Sequence, residues 1–165
     1  MAKKFCCPKG HECPSLEHVF RTLKLSDSDV LNVYMVGSHM WGTCGSHSDW
    51  DLVIVLKTLQ TAKPLNTHKA NIEAFILSQE QFVQSIADHL MQVLIVLWLP
   101  KGCVWVERFD PRSSFKLDRV ALAKALEHSR YRDLRVAEKH FSKGDRQKAK
   151  KVLLHCLRYL ELGAQ

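Results

Sequence analysis

Gly37-Ser38-His39-Met40-Trp41-Gly42-Thr43-Cys44-Gly45-Ser46-His47-Ser48-Asp49-Trp50-Asp51 is the stretch on which the reading of this chain turns. An apolar run, Val33 to Val36, leads into it, and a second, Leu52 to Leu56, leads out. The pattern predicts two strands joined by a glycine-rich loop. Side chains alternate along a strand with period two, so Asp49 and Asp51 are expected on the same side of the second strand. Two carboxylates facing a loop with uncommitted backbone amides make a setting for hard divalent cations and phosphate. Gly37 lets a phosphate come close to the main chain, and the Ser38 hydroxyl adds a donor.

The same periodicities organise the rest. Residues 15–25 read as a helix, with Ser15 as N-cap and Leu16, Val19, Phe20 and Leu23 on one face. Strands are expected at Val30–Val36 and Trp50–Leu56, with a polar excursion over 58–69. A third strand, Asn71–Leu77, has Asn71, Glu73 and Phe75 on one side and Ile72, Ala74 and Ile76 on the other. Ser78-Gln79-Glu80-Gln81 has the form of a capping box and predicts a helix running to about Leu97. Pro100-Lys101-Gly102 ends it, and Cys103 to Glu107 reads as a short strand. Three helices are expected over 116–129, 131–142 and 145–162, with Asp145 as the last N-cap. Trp98 and Trp105 are expected in the core. The fold class is therefore α/β (α+β): a small mixed sheet with helices behind it, over 14–110, followed by a helical region over 115–165.

If the three strands are neighbours, Glu73 lies beside Asp49 and Asp51. At about 4 Å two unit charges interact by roughly 4 kcal/mol at an effective dielectric of about 20. Such a cluster calls for a cation, and carboxylates with phosphate oxygens suit Mg2+. Two ions about 3.5–4 Å apart can clamp the attacking and leaving oxygens of a phosphoryl displacement.

In these residues the chain resembles the DNA polymerase beta-like nucleotidyltransferase superfamily. The shared signature is an apolar strand, Gly-Ser, about ten residues, Asp-x-Asp, an apolar strand, and an acidic residue on a later strand. Gly37-Ser38, Asp49-x-Asp51 and Glu73 follow it in order. Gly42 and Ser48 add positions seen in its minimal members. The likeness covers residues 30–80. It implies transfer of a nucleoside monophosphate from a nucleoside triphosphate, with ATP as the expected donor, to an acceptor hydroxyl. It implies Mg2+, two ions, with Mn2+ as the alternative, held by Asp49, Asp51 and Glu73. These are also the implied catalytic residues. Gly37, Ser38 and Ser48 would bind the nucleotide. Two positions depart from the pattern: Trp41 stands where many minimal members carry Arg, and the third acid is Glu rather than Asp. The alternative is a module that keeps the fold without catalysis, as a nucleotide sensor or an antitoxin-like partner.

Charge adds a second theme. The chain carries a formal +7. From Lys116 onward there are thirteen Lys and Arg against six Asp and Glu, whereas residues 1–112 balance at eleven each. The excess sits entirely in the last third and is suited to RNA or another polyanion as partner, or to the solvated faces of amphipathic helices. His155 and Arg158, at i and i+3, are placed to meet one phosphate. Leu90–Leu99 is too short to span a bilayer. With no apolar leader pattern at the start, the expectation is a soluble cytoplasmic protein without a membrane partner. The six cysteines are then expected as thiols. Cys6, Cys7, His11, Cys13 and His18 match no standard zinc spacing, and a reduced N-terminus is the expected state.

Overall fold

The computed structural model describes residues 12–164. It contains a five-stranded mixed sheet and a set of C-terminal helices, the α/β (α+β) class expected. The strands are β1 (Val30–Met35), β2 (Trp50–Leu56), β3 (Leu65–Lys69), β4 (Ile72–Ser78) and β5 (Val104–Glu107). Their spatial order is β3-β4-β2-β1-β5. β2 and β4 are parallel, and the other neighbouring pairs are antiparallel.

The chain divides into two compact units. One comprises the described residues up to Gln84 together with Val96–Ser114, and holds the whole sheet. Its central strands are buried on both faces: Val33 and Tyr34 on β1, Leu52 to Val55 on β2, and Ile72, Ala74 and Leu77 on β4. Near-continuous apolar runs are what such strands require. Helix α1 (Leu16–Leu23) buries Val19, Phe20 and Leu23. It starts where expected, with Ser15 Oγ accepting the His18 amide at 3.1 Å. A four-residue helix, α2 (Gly37–Met40), follows β1. The capping box also forms. Ser78 Oγ accepts the Gln81 amide at 3.1 Å, Gln81 Oε1 accepts the Ser78 amide at 3.0 Å, and α3 (Gln79–Ala87) begins there.

Asn32 is fully buried on β1 and every group of its amide is used. Its Nδ2 donates to Tyr34 Oη at 2.6 Å and to the Phe109 carbonyl at 2.7 Å. Its Oδ1 accepts the amides of Arg108 and Phe109, each at 3.0 Å. Arg108 in turn grips the Asp27 carboxylate at 3.0 and 3.1 Å. Asn32→Leu strands two amides and a carbonyl. It is expected to cost about 3 kcal/mol, read as a lower midpoint in urea unfolding.

The second unit comprises Ser85–Ile95 and the chain from Phe115 onward. Its helices are α4 (Met91–Leu94), α5 (Arg119–Ser142) and α6 (Arg146–Ala164). Asp118 caps α5, its Oδ1 accepting the amides of Val120 at 2.8 Å and Ala121 at 3.0 Å. Those two bonds hold the exposed Asp118 carboxyl below its ordinary range.

Four expectations are corrected. The excursion over 58–69 contains β3, an exposed edge strand whose Leu65-Asn66-Thr67-His68-Lys69 has too little apolar alternation to read as one. It turns into β4 through Ala70, at φ +53°. The helix expected from Ser78 to Leu97 is broken at His89, which takes φ +55°. The Leu90 amide there donates to the Ser85 carbonyl at 2.9 Å. His89 is buried in that role. Nδ1 lies 2.9 Å from the Ala87 carbonyl and Nε2 lies 3.1 Å from the Asp118 amide, contacts that require the Nδ1–H tautomer. The two helices expected over 116–129 and 131–142 are one, because nothing near Arg130 breaks a helix. Trp98 is 56% exposed, since the 3₁₀ turn Ile95–Trp98 buries Leu97 and turns the indole outward.

Candidate functional site

The carboxyl end of β1 and the start of β2 meet at the glycine-rich loop. The Val36 amide donates to the Asp51 carbonyl at 2.9 Å, which brings Gly37 directly beside Asp51. Gly37 has φ +65°, and a Cβ built on it would overlap the Asp51 carboxylate. Both facts demand glycine: the backbone occupies the left-handed region, and the room for a side chain is already filled.

Strand register brings the acids together. Asp51 on β2 pairs with Glu73 on β4, and Glu73 pairs with His68 on β3. Register partners project from the same face of a sheet. Asp51, Glu73 and His68 therefore form a row across three strands. Asp49 precedes β2, and its Oδ1 lies 3.3 Å from His68 Nε2, both side chains about half exposed. Glu73 is exposed and Asp51 half-buried. Among the described residues, no three His, Cys, Asp or Glu side chains converge as they stand on a point where one metal ion could sit. The donor set itself is hard carboxylate oxygen, which fits Mg2+. Asp49 meets the row at its His68 end.

The remaining candidates have local duties. Ser38 is buried in α2. Ser48 Oγ accepts the Gly45 amide at 2.9 Å, and the Ser48 amide donates to the Gly45 carbonyl at 3.1 Å, so this serine closes the loop. His39 is also buried. Its ring stacks on Trp50 at 3.8 Å and 8°, and Nε2 lies 3.3 Å from the Ser48 carbonyl. Its imidazole thus holds the loop against β2.

Sequence reasoning missed His68, which lies in the strand read as a polar excursion. An isolated polar strand carries no signal until its partner is known.

Of the cysteine and histidine group near the start, Cys6, Cys7 and His11 lie outside the described residues. Cys13 is exposed, and His18 sits on α1 beside Thr22 at 3.5 Å. Cys44, Cys103 and Cys156 are free thiols. Burial pushes the Cys103 thiol up to about 11 and raises that of Cys156.

No family model and no curated protein matches this chain. Among solved structures it is similar to a nucleotidyltransferase-like protein from Exiguobacterium sibiricum 255-15. The identity is 13% and the TM-score 0.39, over 88% of this chain and 55% of that one. The chain thus spans about half the length of that protein. No helix among the described residues is long and apolar enough to cross a membrane.

Proposed function

We propose that the chain is a Mg2+-dependent nucleotidyltransferase that moves a nucleoside monophosphate from a nucleoside triphosphate, ATP in the first instance, to an acceptor hydroxyl. What supports this reading is one juxtaposition: Gly37 abuts Asp51, and Asp51 stands in register with Glu73. Asp51 and Glu73 would hold the ion, and Asp49 would join them on leaving His68. Mg2+, when bound, supplies neutralisation of the triphosphate charge. Gly37 lets the Asp51 carboxylate lie against the loop backbone, so an ion on Asp51 would draw the phosphates to that loop. The acceptor oxygen bonds to the alpha phosphorus, the bond to the bridging oxygen breaks, and pyrophosphate departs. The acceptor proton passes to the Glu73 carboxylate and from there to water.

A second reading, a nucleotide-binding module without catalysis, is favoured by the Asp49–His68 pair, which occupies one of the three acids. Incubation with each alpha-labelled triphosphate, Mg2+ and RNA, protein or small-molecule acceptors separates the two. Label transfer that EDTA abolishes is the expected result. Tight nucleotide binding with no transfer to any acceptor selects the second reading.

A further inference from the structure

Helices α5 and α6 sort their charges by face. On α5, His128, Arg132, Arg135 and Lys139 follow at intervals of four, three and four. On α6, Lys148, Lys151, His155 and Arg158 follow at three, four and three. Such intervals hold each set on one side of its helix. The seam between the helices is marked by the buried Ser129, Asp133, Ala137, Ala149 and Cys156. It is marked again at Gly163, where a Cβ would overlap Leu126.

The helices run antiparallel around Gly144 (φ +78°), and each cationic row lies about 120–130° from the seam in the same rotational sense. Both rows therefore share one face of the hairpin. His155 is half-buried on this face. Burial, and then the charges of Arg158 and Lys151, hold its imidazole below the ordinary histidine range, with the Asp133 carboxylate of α5 acting against them.

The face holds six permanent cations. Two carboxylates touch them: Asp133 binds Arg132 at 2.9 Å, and Asp145 lies 3.6 Å from Lys148. The three glutamates of the segment, Glu127, Glu138 and Glu161, fall on the opposite face. The exposed Leu134, Phe141, Leu153, Leu157 and Leu160 lie there too.

Each row is about 15 Å long, on helices whose axes pack about 8–10 Å apart. Charges repeated every turn suit a ligand whose own charges repeat. Exposed apolar side chains also border the rows: Tyr131, with the Arg135 guanidinium over its ring at 5.6 Å, and Val136 and Leu154. An exposed aromatic ring beside cations repeated every turn is the combination that holds a phosphate backbone while a base stacks on the ring. We propose that this face binds the sugar–phosphate backbone of a nucleic acid, reading charge rather than base sequence. The inference rests on the hairpin and not on the transfer reaction; where both hold, the acceptor is a nucleic acid hydroxyl.

The test is fluorescence anisotropy of the full chain with labelled single-stranded RNA, single-stranded DNA and duplex RNA over a salt series. Binding to at least one is expected, with log affinity falling against log salt by about 0.7 per phosphate neutralised on a single strand. Lys139→Gln together with Lys151→Gln should weaken binding about tenfold and flatten the slope by about 1.4. Lys150→Gln removes the same charge on the opposite face and should change neither. Asp51→Asn should bind unchanged, which keeps this inference separate from the fate of the catalytic proposal. Equal losses from Lys150→Gln and Lys151→Gln would reduce the effect to net charge and overturn the proposal. So would no binding to any of the three nucleic acids, or binding only to anionic vesicles.

Discussion

Asp51→Asn is expected to lower nucleotidyl transfer about 10³-fold, some 4 kcal/mol of transition-state stabilisation, while the fold stays intact. Asparagine keeps the shape of the side chain beside Gly37 and removes only its charge. Asp51 faces Glu73 across β2 and β4, and like charges directly opposite in a sheet destabilise it. Unfolding in urea should therefore show Asp51→Asn no less stable than the parent protein. That combination, activity gone and stability held or raised, marks a carboxylate retained for its charge. A carboxylate retained for packing would do the reverse. Labelled-triphosphate turnover and urea midpoints on the same preparations decide it. Undiminished transfer by Asp51→Asn would remove the central residue of the proposed site.

How much of this was legible beforehand follows from where each signal resides. β1, β2 and β4 are buried on one or both faces, so their apolar runs announce them. Ser15 and the Ser78–Gln81 box are local hydrogen-bonding chemistry and read directly from residue order. The Gly37–Asp51 contact is not legible there: the glycine is expected to admit a phosphate, and the Asp51 carboxylate lies in that space.

Other features are set by tertiary partners. β3 exists because β4 offers an edge, not because Leu65-Asn66-Thr67-His68-Lys69 prefers to be extended. Without β3, His68 could not be placed beside Asp49. His89 takes a left-handed backbone because the Ala87 carbonyl and the Asp118 amide satisfy its ring, and Asp118 is twenty-nine residues away. The charge sorting of α5 and α6 lay in the sequence as two series with helical spacing. Only the position of the seam reveals that the two series share a face.

Gly37→Ala is expected to be the most damaging small substitution in the chain. Alanine at φ +65° costs about 1–2 kcal/mol in backbone strain alone. The new methyl would also strike the Asp51 carboxylate, and relieving that overlap means moving either the loop or β2. A combined loss of about 3 kcal/mol or more in urea unfolding follows, together with loss of triphosphate binding.

The two costs can be told apart, because one depends on Asp51 and the other does not. In Gly37→Ala with Asp51→Gly the overlap disappears and only the strain remains. The double variant should then be more stable than the two single losses added together, by about 1–2 kcal/mol of coupling. Nucleotide transfer should stay absent in the double variant, since the carboxylate is gone. Simple additivity in this cycle would mean that Gly37 and Asp51 do not press on one another. The close approach of β1's end to the acid row, on which the proposed phosphate cradle depends, would then be wrong.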